Sequence, residues 1–246
     1  MRKYLRSRDL RRKHLEEANL EDAVLHRTDL RDANLSCRDL RGEYLEGADL
    51  RGAVLQLTDL RGANLIGANL EGADLTGAHL LRADLEDAIL SDSILVCANL
   101  KCTNLDGARL DNADLESAYM SGTRLGNANL CEANLAGAYL SNSTFESAAD
   151  LVGANLQGAF LWQANLEGAD LRGANLSNAC IWQANLADAC LRGANLQNVD
   201  LRGVLIGDLD DTIGTPTHLP GDSLDKWELA FLKMRWDSFR LWGGDK

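Results

Sequence analysis

The stretch LWQANLEGADLRGANLSNACIWQANL, residues 161–186, carries the pattern that governs the chain. Leucine or isoleucine falls at 161, 166, 171, 176, 181 and 186. From 166 onward, alanine sits two places before each of them, and Asn, Asp or Cys sits one before. A period of five is neither the 3.6 of a helix nor the 2 of a strand. The central apolar residue holds every fifth position from Leu5 to Phe145 and, after one inserted residue, from Leu151 to Ile206. It is Leu at all but four of these 41 positions, the exceptions being Met120, Phe145, Ile181 and Ile206.

One apolar residue in five can point inward throughout if the backbone turns a corner once per repeat. A narrow coil holds one large side chain per side and one small one near each corner, which accounts for the pair Leu and Ala. Glycine just before alanine (Gly52, Gly62, Gly67, Gly72, Gly77) suits a tight corner. Successive coils must pair their backbone groups, so they are expected to stack at about 4.8 Å. Each buried Leu contributes roughly 1.5–3 kcal/mol, and stability is close to a sum over neighbouring coils with both ends capped.

The string A-[D/N]-L-x-x resembles the signature of pentapeptide-repeat proteins over about five-sixths of the chain. The resemblance implies an all-β solenoid, a right-handed quadrilateral β-helix with four repeats per coil. It further implies about ten coils, a rod on the order of 50 Å long, ending here in a C-terminal α-helix.

Residues 1–15 keep Leu at 5, 10 and 15 but place Lys3, Arg8 and Lys13 where alanine belongs, so they read as a basic cap or irregular first coil. The solenoid is expected over 16–206. Arg38 and Glu43 occupy consecutive alanine slots, where either the coil opens locally, the favoured reading, or the two charges pair across neighbouring corners. The six residues from Phe145 to Leu151 read as a bulge. Residues 207–221 hold both prolines and read as a linker, and residues 222–246 as an amphipathic helix capped by Asp222 or Ser223 and stopped by Gly243 and Gly244. Its apolar residues include Leu224, Trp227, Phe231, Met234, Trp236, Phe239 and Trp242. So apolar a helix is expected to cap the last coil and dimerise, or to lie on an aromatic patch of the rod.

Residues twenty apart should share a column, twenty-one apart across the insertion. Tyr119, Tyr139 and Phe160 then fall in one column beside Trp162 and Trp182, a candidate binding patch. Glu46, Glu86, Asp106, Glu146 and Glu167 fall in another, flanked by Asp84 and Asp87, a candidate acidic face. Arg11, Arg31 and Arg51 stand beside Asp9, Asp29 and Asp49 as a self-neutralising ladder.

A leucine-filled coil offers no convergent pocket, and the four histidines are scattered, so neither catalysis, cofactor nor metal site is expected. The basic start has no apolar run, and six cysteines without a CxxC pair suit reduced thiols in a cytoplasmic protein. Residues 16–206 carry 28 acidic and 13 basic side chains, which disfavours direct binding to nucleic acid or membranes. Two functions stay open, with a sugar- or lipid-binding role for the aromatic surface as a weaker third. One is a protein-interaction scaffold with the aromatic patch as its hot spot. The other follows from the resemblance: quinolone-resistance members of the family mimic duplex DNA, bind DNA gyrase or topoisomerase IV, and dimerise through a C-terminal helix. Duplex DNA carries about one charge per 1.7 Å, or about thirty over such a rod, twice what this solenoid's net charge of −15 supplies.

Overall fold

The computed structural model describes residues 25–145, 149–206, 209 and 212–216. The basic start at 1–15 and the stretch 222–246, with its expected helix and the residues assigned to it, lie outside the described residues, as does Glu146. No helix occurs among the described residues, so none there is long and apolar enough to cross a membrane.

The five-residue period becomes a square coil because each repeat closes on itself at a corner. The amide three places after a central Leu donates to that Leu's carbonyl, as from Ala63 to Leu60 at 3.0 Å. The residue two places after the Leu takes a positive φ, the arrangement of a type II turn. Gly62 at 65° adopts it without strain, but Arg82 at 58° and Leu57 at 56° adopt it too, so the coil imposes the angle even where the side chain disfavours it.

Four corners bring the chain back over itself. Parallel bridges join residues twenty apart, as Asp59↔His79 and Asp84↔Asn104. The offset is twenty-one from Asn129↔Asp150 through Thr144↔Asn165, and twenty again at Asp150↔Asp170. The insertion is therefore absorbed between Phe145 and Ala149 without loss of register.

Backbone donors are satisfied almost completely by this winding. Leu60 donates to the His79 carbonyl at 2.8 Å, Gly62 to Leu81 at 3.0 Å, and Asp59 back to Arg38 at 2.8 Å. Counting the corner bond, four of five N–H groups per side are used. The fifth, on the residue after the central Leu, donates to the side chain of the Asp or Asn just before that Leu: Ile66 to Asn64 Oδ1 at 3.1 Å, Cys131 to Asn129 Oδ1 at 3.0 Å. This Asx turn is the physical reason for Asp or Asn in the repeat.

The inward pair is as expected. Central residues from Leu25 to Leu201 are buried, as is nearly every alanine between them. Thr58, Thr103 and Thr123 replace alanine and remain buried because each hydroxyl donates to a leucine carbonyl of the preceding coil at 2.8–2.9 Å.

The opening expected at Arg38 and Glu43 does not occur. Asp59 still donates to the Arg38 carbonyl and Asn64 to Glu43, at 2.8 and 2.9 Å. Arg38 is half-buried and its Nε is enclosed; its long apolar stem can fill the slot. The ladder also runs on into the stretch read as linker, where Ile213 pairs with Asn195, eighteen residues earlier.

Replacing both Arg38 and Glu43 by alanine should keep the fold and raise the free energy of unfolding by about 1 kcal/mol or more, since charged groups leave an apolar slot. Urea denaturation of the double variant measures this, and a lower stability would contradict it.

Candidate functional site

One side of the prism departs from the repeat's chemistry. Its central residues are Leu60, Leu80, Leu100, Met120, Leu140, Leu161, Ile181 and Leu201, and its outward column reads Asp59, His79, Asn99, Tyr119, Tyr139, Phe160, Cys180. Four consecutive coils thus lack the Asp or Asn that caps the following amide in many other repeats; slots without it on the other sides, such as Val54, Ile89 and Ile94, do not run through four successive coils. On this side aromatic rings stand in the slot instead, with Cys180 above them.

The rings of Tyr119 and Tyr139 lie 5.0 Å apart at 5°, and those of Tyr139 and Phe160 5.0 Å apart at 6°. Beside them Trp162 and Trp182 stack at 5.7 Å and 26°. Each such pair contributes about 0.5–1.5 kcal/mol beyond simple burial. Lys101 Nζ sits 5.9 Å from the Tyr119 centroid at the lower end, within cation–π range. Trp162 Nε1 donates to Gln183 Oε1 at 3.2 Å. Because the ring faces cover one another, the strip presents edges, and a sugar that must lie flat on a ring face finds little purchase.

The structure therefore brings Tyr119, Tyr139, Phe160, Trp162 and Trp182 together as the twenty-residue column requires. It adds Lys101, Cys180, Gln183 and Arg202 to their frame, all at column positions the same rule reaches.

A family model described as pentapeptide repeats matches residues 4–36, 44–82, 53–92, 74–112, 108–147, 149–185 and 182–203. The chain belongs to the pentapeptide-repeat family. Its members fold as right-handed β-helices, and the parallel bridges between residues twenty apart are the stacked coils of such a fold. Among solved structures it is similar to HetL, a pentapeptide repeat protein involved in heterocyst differentiation regulation from Nostoc sp. strain PCC 7120. The two are 40% identical over 78% of this chain and 88% of HetL, with a TM-score of 0.33. It is also similar to QnrB1, a plasmid-mediated fluoroquinolone resistance protein, at 20% identity over 85% of this chain and 99% of that one, with a TM-score of 0.52. No curated protein sequence matches the chain.

The acidic face of this pentapeptide-repeat protein is less bare than its sequence suggests. Glu46, Glu86, Asp106 and Glu167 share a corner column with Ile66 and Gly126 between them. Glu46 lies 3.8 Å from His26 Nδ1, and Asp106 pairs with Arg124 while accepting the Gly126 amide at 2.9 Å. Asn104 Nδ2 donates to both Asp84 and Glu86, at 2.9 and 3.2 Å, and Asn185 Nδ2 to Glu167 at 3.0 Å. Asp87 stands apart from that column, its carboxylate folded over Gly107.

Where Arg follows the Asp–Leu pair, each guanidinium grips the Asp of its own side with two parallel bonds. Arg51 Nε and Nη2 lie 2.9 and 2.7 Å from the Asp49 oxygens, and Arg31 and Asp29 repeat the arrangement one coil below. Arg31 Nε also comes within 3.4 Å of Asp49, which makes the expected ladder continuous there. Among the described residues no three His, Cys, Asp or Glu side chains converge to hold a metal, and the six cysteines are free thiols.

The Arg51 guanidinium holds the Asp49 carboxyl below the usual carboxylate range, against burial, which pushes it up. A depressed carboxylate contributes stability that is full above its unfolded pKa of about 3.9 and is lost as pH falls through the folded value. Arg51→Ala should therefore raise the Asp49 midpoint followed by NMR, and its stability deficit should shrink as pH drops below about 4. A deficit unchanged by acid would contradict the pairing.

Proposed function

We propose that the protein is a non-catalytic interaction scaffold: a rigid rod that presents its aromatic side to a protein partner. The supporting observation is the exchange made at Tyr119, Tyr139, Phe160 and Cys180. The fold gains an amide cap from Asp or Asn at that slot, and this side gives the cap up over four coils for apolar surface. Departures from a chain's own local rules concentrate at functional sites. Contiguous apolar surface of this kind marks an interaction site, and Trp and Tyr dominate such hot spots. In this reading the rod has about ten coils, spans roughly 50 Å, ends in a C-terminal helix and works in the cytoplasm.

A second reading, a DNA-mimicking modulator of DNA gyrase or topoisomerase IV, draws on the net charge of −15 over residues 16–206 of an elongated rod. The carboxylates of Asp49, Asp59, Asp106 and Asp170 are each matched by an arginine, which thins the row of charge a phosphate mimic would offer.

Trp162→Ala combined with Trp182→Ala should reduce capture of a specific protein from host lysate by about tenfold or more, the loss of roughly 2 kcal/mol expected of a hot-spot pair, while the rod's circular dichroism is retained. Undiminished capture would overturn the scaffold reading. Dose-dependent inhibition of gyrase supercoiling by the unmodified protein, unaffected by those substitutions, would select the second.

A further inference from the structure

Charge is distributed unevenly around the rod. Six successive repeats of the aromatic side, 79–83, 99–103, 119–123, 139–143, 160–164 and 180–184, hold no Asp or Glu and two cations, Arg82 and Lys101. Over the same coils the next side, from 84–88 to 185–189, holds seven acidic residues and one arginine. The side after it, from 89–93 to 190–194, holds five acidic residues and three arginines. On a rod whose net charge is −15 over residues 16–206, the aromatic side is thus the one that carries net positive charge through these coils.

The cations are gathered at one end of the strip. Lower on the same side Arg41 and Arg61 are each gripped by the aspartate of their own repeat. At the next coil His79 takes that aspartate's slot and Leu81 the arginine's, and the cation moves one place on to Arg82, exposed at the corner with no acidic residue in its repeat. Lys101 follows one coil higher, its Nζ 5.9 Å from the Tyr119 ring centroid. Above it come the rings, and their rim is uncharged: Gln163 Nε2 and Trp162 Nε1 both donate to Gln183 Oε1, at 3.1 and 3.2 Å. Exposed charges are screened beyond about 8 Å at physiological salt, so a ligand against this side meets Arg82 and Lys101 before the carboxylates of the sides behind it.

We propose that the aromatic side takes an acidic, amphipathic segment of a partner protein, with apolar side chains on the rings and carboxylates at the Arg82–Lys101 end. The proposal rests on the scaffold reading and adds the partner's chemistry and direction. From Met120 to Ile181 the strip rises three rungs, about 14 Å, and the two cations lie about 5 and 10 Å below it. The segment therefore presents a row of aromatic or aliphatic residues followed, within about 10 Å, by Asp or Glu. A basic partner is drawn to the other sides, where the carboxylates lie. Two cations are too few to hold a nucleic-acid backbone against so acidic a rod.

A displayed library of random linear peptides, panned on the full-length protein, supplies the test. Enriched peptides should combine aromatic or aliphatic residues with Asp or Glu, and their affinity, measured on synthetic copies, should fall as salt is raised. Arg82→Glu with Lys101→Glu should weaken those copies about tenfold, keep the circular dichroism of the rod, and on fresh panning enrich peptides bearing Lys or Arg. Arg82→Gln with Lys101→Gln should fall between. Peptides that lack acidic bias, or that bind the charge-reversed protein undiminished, would overturn the proposal. If Trp162→Ala with Trp182→Ala still abolishes their binding, the aromatic side stands as the docking face and only its charge preference fails. Acidic peptides that bind the tryptophan variant undiminished would overturn both readings, and so would the absence of any enriched peptide.

Discussion

A coil filled by leucine and alanine has no room for water, so the chain must supply a partner for every backbone N–H it turns inward or stacks against the next coil. The structure meets that requirement five groups at a time. Three amides per side go to neighbouring coils, one closes the corner, and one goes to the Asp or Asn beside the central Leu. An unpaired buried donor costs about 1–3 kcal/mol, so the four backbone-paired amides of each side carry the winding, while the cap slot also accepts Val54, His79, Ile89 and Ile94. The one-residue insertion after Phe145 shows how firmly it is held, since the bridges shift to twenty-one and return to twenty without a missing rung among the described residues.

Against that requirement, the aromatic side is where the chain trades local stability for surface. Replacing the Asx cap by Tyr119, Tyr139, Phe160 and Cys180 recovers part of the cost through ring stacking at 5.0 Å. It leaves an apolar strip that the fold itself does not need. The D-L-R repeats solve the opposite problem. At Asp49 and Arg51 the carboxylate is used twice, by the arginine's own amide and by its guanidinium, so an outward charge becomes part of the corner.

Much of this was legible in the residues because a strict period of five converts sequence position directly into place on a prism. Trp162 and Trp182 could be paired, and Arg31 set beside Asp49, from spacing alone. Spacing could not reveal the hydrogen bonding of individual slots. Thr58 and Thr103 stand in alanine slots, and each hydroxyl bonds a carbonyl one coil away. Arg38 and Glu43 read as a breach, yet the backbone ladder outweighs them. The acidic column read as a row of charge, and the amides of Asn104 and Asn185 that bind it lie on the neighbouring face position, outside the column being counted.

The central claim is that residues stack at an offset of twenty before the insertion and twenty-one across it. Coils about 4.8 Å apart place column neighbours within the 4.4–6.8 Å Cα separation that a disulfide spans. Ser117→Cys should therefore oxidise onto Cys97, and Val152→Cys onto Cys131, as mapped by non-reducing mass spectrometry. Cross-links at any other offset, such as Cys102 to the new thiol at 117, or no cross-link under oxidant, would contradict the winding on which every surface assignment depends.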